Sequence, residues 1–146
     1  MRALRSVVGL VLFGATASLG VASDNAPSCG DFLAQLAKKP KYLEYTGCKH
    51  NEGGQQEEWV AQYRVPGAHA AEVEAFFVKQ FRMTPLKKSC CQWDGASGSY
   101  VQQSDRLFGV EMTSEEDNQK TASRSRSIWP KIGFFYVQVS LTTSSP

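Results

Sequence analysis

The 146-residue chain lacks a surplus of either charge: 16 Lys and Arg face 14 Asp and Glu, and the excess equals Arg2 and Arg5. A nucleic-acid-binding domain would carry a basic face or stripe, so nucleic acid is not expected as a partner. Long apolar runs are also missing. The best stretch, Val7 to Leu19, is apolar or small over about 13 residues, short of the roughly 20 that span a bilayer. Histidine is limited to His50 and His69, and neither belongs to an H-E-x-x-H motif. There is no G-x-S-x-G, no Walker-type loop and no C-x-x-C. The common hydrolase, nucleotide, zinc and thiol-redox signatures are therefore absent, and no catalytic residue, metal or cofactor is expected. What remains, 42% apolar and 21% charged residues, suits one globular domain and excludes wholesale disorder.

The N-terminus has the n-, h- and c-region order of a secretory signal: Arg2 and Arg5, the apolar run, then Gly20-Val21-Ala22-Ser23. We read residues 1–22 as a removable signal peptide and 23–146 as the mature domain, periplasmic or secreted. Without Arg2 and Arg5, 14 bases face 14 acids and the mature chain is neutral. No later segment is long and apolar enough to cross a membrane, so no membrane span is expected after removal of the signal.

Cys29, Cys48, Cys90 and Cys91 all lie beyond the leader. An even number in an oxidising compartment reads first as disulfides. Leu86 to Trp93 reads as one strand, which would turn Cys90 and Cys91 to opposite faces. That favours crossed pairing, with Cys29 and Cys48 each bridged to a different member of the Cys90/Cys91 pair. A Cys90–Cys91 bridge with Cys29–Cys48 is disfavoured by the small strained ring it requires. Metal binding and thiol redox chemistry are the alternatives; the spacing speaks against one zinc holding both adjacent cysteines.

Hydrophobic periodicity places a short helix over Asp31–Lys38, capped by Ser28, and a hairpin from Tyr42–Cys48 and Trp59–Val65 around the turn Asn51–Gly54. Pro66-Gly67 opens a second helix over Ala68–Phe81, with Ala70, Val73, Phe77 and Phe81 on one stripe. Strands follow over Leu86–Trp93, Ser99–Gln103, Phe108–Met112 and Ile132–Leu141. The expected architecture is α+β: a single domain with an antiparallel sheet of about five to six strands, two helices packed on one face, and disulfide staples. A mobile polar loop is expected at about 113–127, where apolar residues almost vanish.

That loop begins acidic, with Glu115, Glu116 and Asp117, and ends basic, with Arg124 and Arg126. Adjacent carboxylates do not converge on a cation as the alternate positions of a calcium loop do. The two ends could neutralise each other, or the loop could meet a protein partner of complementary charge, where such charges set encounter rate. Phe134 and Tyr136 lie off the core face of the last strand and could line an interface or a ligand pocket.

Together, Cys29-Gly30-Asp31-Phe32-Leu33, Gly47-Cys48, Tyr63-Arg64-Val65-Pro66-Gly67, Cys90-Cys91-Gln92-Trp93 and Ser114-Glu115-Glu116 resemble a family of small exported proteobacterial proteins of unknown function. The likeness covers about Cys29 to Leu141. It implies a periplasmic setting and one domain, and no catalytic residue. The functional expectation is a non-catalytic periplasmic protein that binds another protein of the cell envelope, such as an inhibitor or immunity-type protein. A binder of a small molecule or envelope component is the alternative, and a hydrolase with an unrecognised acidic site the weakest.

Overall fold

The computed structural model describes residues 27–36, 38–52, 57–95, 101–103, 106–115 and 124–143. The expected leader (1–22), Glu116 and Asp117 lie outside them. Strands β1 (Glu44–Asn51), β2 (Glu58–Pro66), β3 (Lys87–Ser89), β4 (Gln92–Gly95), β5 (Val101–Gln103), β6 (Arg106–Ser114) and β7 (Phe134–Thr143) form one antiparallel sheet. Its order is β1-β2-β7-β6-β4-β3, with β5 paired to β6 beside β4. Helices α1 (Phe32–Gln35) and α2 (Ala70–Phe81) cover one face, as the α+β reading expects.

Strict alternation builds the sheet. Trp59, Ala61, Tyr63 and Val65 of β2 and Phe135, Val137, Val139 and Leu141 of β7 are buried, while the residues between them point to the other face, where Val60 is also buried. Phe108, Val110 and Met112 continue this inner face across β6. Against it α2 lays Ala70, Val73, Phe77 and Phe81, one stripe at helical spacing. Helix α1 adds Phe32 and Leu33, with Phe32 edge-on to Phe108 at 6.1 Å. Each fully buried Leu, Phe or Val contributes about 1.5–3 kcal/mol relative to exposure.

Local chemistry sets the boundaries. The cap of α1 is Asp31, whose Oδ1 accepts the Ala34 N–H at 3.1 Å, and not Ser28. Pro66 ends β2, and a single 3-10 turn, Gly67–His69, leads into α2. A Cβ at Gly67 would run into the carbonyl oxygens of Trp129 and Ile132, so only glycine allows this close approach. Arg82, in the left-handed region at φ 53°, closes α2 before Pro85 is reached.

Two sequence expectations change here. Leu86–Trp93 is a tight hairpin and not one strand: Ser89 pairs with Gln92, and Cys90-Cys91 is the two-residue turn. At the ends of the expected loop over 113–127, β6 runs to Ser114 and a 3-10 helix, Arg126–Lys131, forms before β7, while residues 116–123 lie outside the described residues. Ser114 is buried because its hydroxyl accepts the Trp93 N–H at 2.9 Å and donates to the Glu115 carbonyl at 2.7 Å.

The crossed disulfide pairing is also corrected. The bridge joins Cys29 to Cys48, with Cα atoms 5.5 Å apart, and closes a loop worth about 3 kcal/mol in the chain-entropy model. Cys48 lies on β1 at one edge, and the Cys90-Cys91 turn caps the β3–β4 hairpin at the other. Strand spacing of about 4.8 Å puts those edges more than ~20 Å apart, whereas a disulfide needs Cα atoms within about 7 Å.

Candidate functional site

With the helices on one face, the opposite face of the sheet presents outward residues from successive strands in register. Glu44 of β1 pairs with Arg64 of β2, Arg64 with Tyr136 of β7, and Tyr136 with Thr113 of β6. The same row continues through Asp94 of β4 to Lys87 of β3. Beside it run Gln62, Gln138 and Glu111. Because side chains alternate with period two, every member of a row points the same way.

The row is organised by charge. Arg64 donates from Nε to Glu44 Oε2 at 2.8 Å and from Nη2 to Oε1 at 3.1 Å, a bidentate pair. This hydrogen bonding holds the Glu44 carboxyl below its ordinary pKa. The Arg64 guanidinium also lies 4.9 Å over the Phe134 ring. Tyr136, 41% exposed, donates its hydroxyl to Glu115 Oε1 at 2.9 Å. That bond to a carboxylate, together with slight burial, raises the hydroxyl's pKa. Thr46, Gln62, Arg64, Thr113, Tyr136 and Gln138 surround an open recess of about 440 Å³. The chemistry on offer is a fixed cation, an aromatic hydroxyl and paired amides on a rigid sheet, which suits recognition more than bond making.

The expected partner-binding residues separate. Glu115 joins the outer face through Tyr136, and its N–H bonds the Phe134 carbonyl at 3.1 Å, adding one rung to β6–β7. Arg124 is exposed. Arg126, though exposed, is held against α2 instead. Its Nη2 donates to Glu74 Oε1 at 2.9 Å and to the Leu86 carbonyl at 3.2 Å, and its guanidinium sits 4.8 Å over Trp129. Glu74, 3% exposed on α2, also accepts the Leu86 N–H at 2.6 Å. Arg126 therefore fastens α2 to the chain entering β3, and among the described residues its carboxylate partner is Glu74 and not Glu115. A partner on this face would meet Glu115 and Tyr136, not Arg126.

The histidines are stacked. His69 lies 3.6 Å from Tyr42, ring to ring, and His50 lies 4.6 Å from Trp59 with its Nδ1 3.3 Å from Glu52. Among the described residues no group of three His, Cys, Asp or Glu is placed to hold a metal. Nor is any described helix long and apolar enough to cross a membrane.

The sequence pointed to Phe134 and Tyr136 as off-core aromatics, and both frame this face. It missed Arg64 and Glu44. Their signal was available: Arg64 alternates with the core residues Tyr63 and Val65, so it must face outward. What no local pattern gives is the register that sets Glu44 opposite it.

Residues 20–93 match a family described as a domain of unknown function. No curated protein and no solved structure matches the chain.

Proposed function

The chain belongs to DUF4952, and on that footing we propose that it is an exported, non-catalytic binding protein of the bacterial cell envelope whose outer sheet face engages another protein. The observation that carries this reading is the ordered row Glu44–Arg64–Tyr136–Thr113, joined by Glu115 and set on rigid strands. Arg and Tyr are enriched at the energetic centres of protein interfaces. An open, polar, mixed-charge face fits a folded partner of complementary charge, such as the target of an inhibitor or immunity-type protein. Export is supported by Arg2, Arg5 and the Val7–Leu19 run, and by the Cys29–Cys48 bridge, which persists in oxidising compartments. The resemblance to exported proteobacterial proteins adds the periplasm as the setting.

The test compares capture of envelope proteins by the wild-type chain and by an Arg64→Glu, Tyr136→Ala variant with unchanged circular dichroism. A protein retained by the first and lost by the second, with retention weakening as salt rises, supports the reading. Identical capture by both overturns it. The change Glu115→Gln, Glu116→Gln, Asp117→Asn should slow capture at low salt and shift stability by no more than about 0.5 kcal/mol. The recess of about 440 Å³ favours a second reading, a small polar ligand of the envelope, since its size falls within the range of ligand sites. In that case a soluble low-molecular-weight envelope fraction, and no protein, would bind the wild-type chain and not the Arg64→Glu, Tyr136→Ala variant.

A further inference from the structure

The β3–β4 hairpin carries a feature that neither the fold nor the outer face uses. Its connection is two residues long, because Ser89 pairs directly with Gln92. Two-residue hairpin turns favour Asn-Gly, Asp-Gly or Gly-x, since at least the first turn residue takes a positive φ. Here both positions are cysteine, and Cys90 takes φ 50°, a region uncommon for residues other than Gly, Asn and Asp. Turn propensity alone does not select this pair. Both side chains are exposed, and the Cys91 Sγ stands 3.0 Å from the Cys90 Sγ.

We propose that Cys90 and Cys91 form a vicinal dithiol that closes reversibly into a vicinal disulfide, with a low-molecular-weight or protein disulfide as the oxidant. The sulfurs need to approach by only about 1 Å to reach the bond length of about 2.05 Å. The thiolate of one cysteine attacks a sulfur of the oxidant, forming a mixed disulfide and releasing one thiol, which takes up the proton of the attacking group. The neighbouring thiolate then attacks the protein sulfur of that mixed disulfide and releases the second thiol. Two electrons and two protons pass from the cysteine pair to the oxidant, one S–S bond forms in the turn, and one breaks in the oxidant. Because the turn already places the second sulfur beside the first, resolution within the chain outruns capture by another molecule.

The two cysteine sites differ in kind. Cys29 and Cys48 are bridged at a Cα separation of 5.5 Å, inside the ordinary range. Adjacent residues joined by a trans peptide stand only about 3.8 Å apart, below that range. A ring closed there is strained and exposed, the type of disulfide that is labile and not structural. The chain would thus hold one permanent bridge and one exchangeable pair at opposite edges of the sheet. This inference rests on the turn geometry and not on the export reading.

The full chain, with Cys29–Cys48 intact, is exposed to glutathione disulfide in one arm and to oxidised protein disulfide isomerase, a more oxidising protein disulfide, in the other, then analysed by non-reducing peptide mapping. The expected product is a Ser89–Arg106 peptide lighter by two hydrogens, restored by mild dithiothreitol that leaves the Cys29–Cys48 peptide joined. The faster arm identifies the class of oxidant. Before oxidation the chain should bind one phenylarsenoxide, a probe of paired thiols, and afterwards none. Cys90→Ser and Cys91→Ser should each abolish arsenical binding and accumulate a stable glutathione adduct on the remaining cysteine. Adducts on both cysteines of the wild-type chain with no ring in either arm, or dimers linked through them, would overturn the proposal.

Discussion

Asp31 does more than cap a four-residue helix. Its carboxylate accepts the Ala34 N–H at 3.1 Å and the Tyr63 hydroxyl at 3.0 Å, and pairs with Lys39. Partial burial opposes its charge, but the Lys39, Ala34 and Tyr63 hydrogen bonds outweigh that and hold the carboxyl below its ordinary value of 3.8. For Tyr63, burial raises the hydroxyl's pKa, Asp31 adds to the rise, and the Leu33 N–H opposes it. A group whose folded pKa is depressed stabilises the fold above its unfolded pKa and loses that contribution as pH falls through the folded value. Asp31→Ala should therefore cost about 1–2 kcal/mol at neutral pH, and urea titrations should show the gap to wild type closing in acid below about pH 4. Arg126 makes a contrasting residue-scale prediction. Removing it leaves the buried Glu74 carboxylate with the Leu86 N–H but no counter-charge, so Arg126→Ala should cost about 2 kcal/mol. Adding Glu74→Leu should recover part of the loss, because no uncompensated charge then stays buried.

At the scale of elements, α2, β2 and β7 were legible because each carries an unbroken period, 3.6 residues for the helix and two for the strands. The hairpin at Lys87–Gly95 was not, because strands of three and four residues hold too few repeats to show a period and the turn lacks Gly or Asn. The 3-10 helix Arg126–Lys131 was hidden in a polar stretch, and only Trp129 within it is buried. The disulfide pairing failed for a related reason: mistaking the hairpin for one strand put Cys90 and Cys91 on opposite faces. The elements also rank the cysteines. Cys48→Ser, by freeing the segment before α1 from β1, should cost about 3 kcal/mol in chemical denaturation. Cys90→Ser, in an exposed turn under reducing conditions, should cost no more than about 0.5 kcal/mol.

For the whole molecule, the order of periodic elements already indicated a single α+β domain, and the sheet confirms its class. The candidate face was only half legible, since it gathers residues from strands far apart in the chain. Tyr136 and Arg64 meet because β7 pairs with β2, and Glu58 lies opposite Thr142. Alternation tells which way each points, but only the strand order tells which stand side by side.

That order has a consequence in time. The family segment, residues 20–93, supplies β1 to β3 and the first two residues of β4, yet β1-β2 and β4-β3 stand at opposite ends of the sheet with β7 and β6 between them. Two isolated hairpins are marginal in water, so a chain stopped at residue 93 should give the amide spectrum of an unfolded polypeptide while the full chain is dispersed. During synthesis, β2 must wait with its apolar face open until a strand made much later arrives to lie beside it. Closure across such sequence distances is slow, and an unclosed sheet invites aggregation. The centre of this sheet is laid down last, so its edge strands have no partner to fold against until the chain is nearly complete.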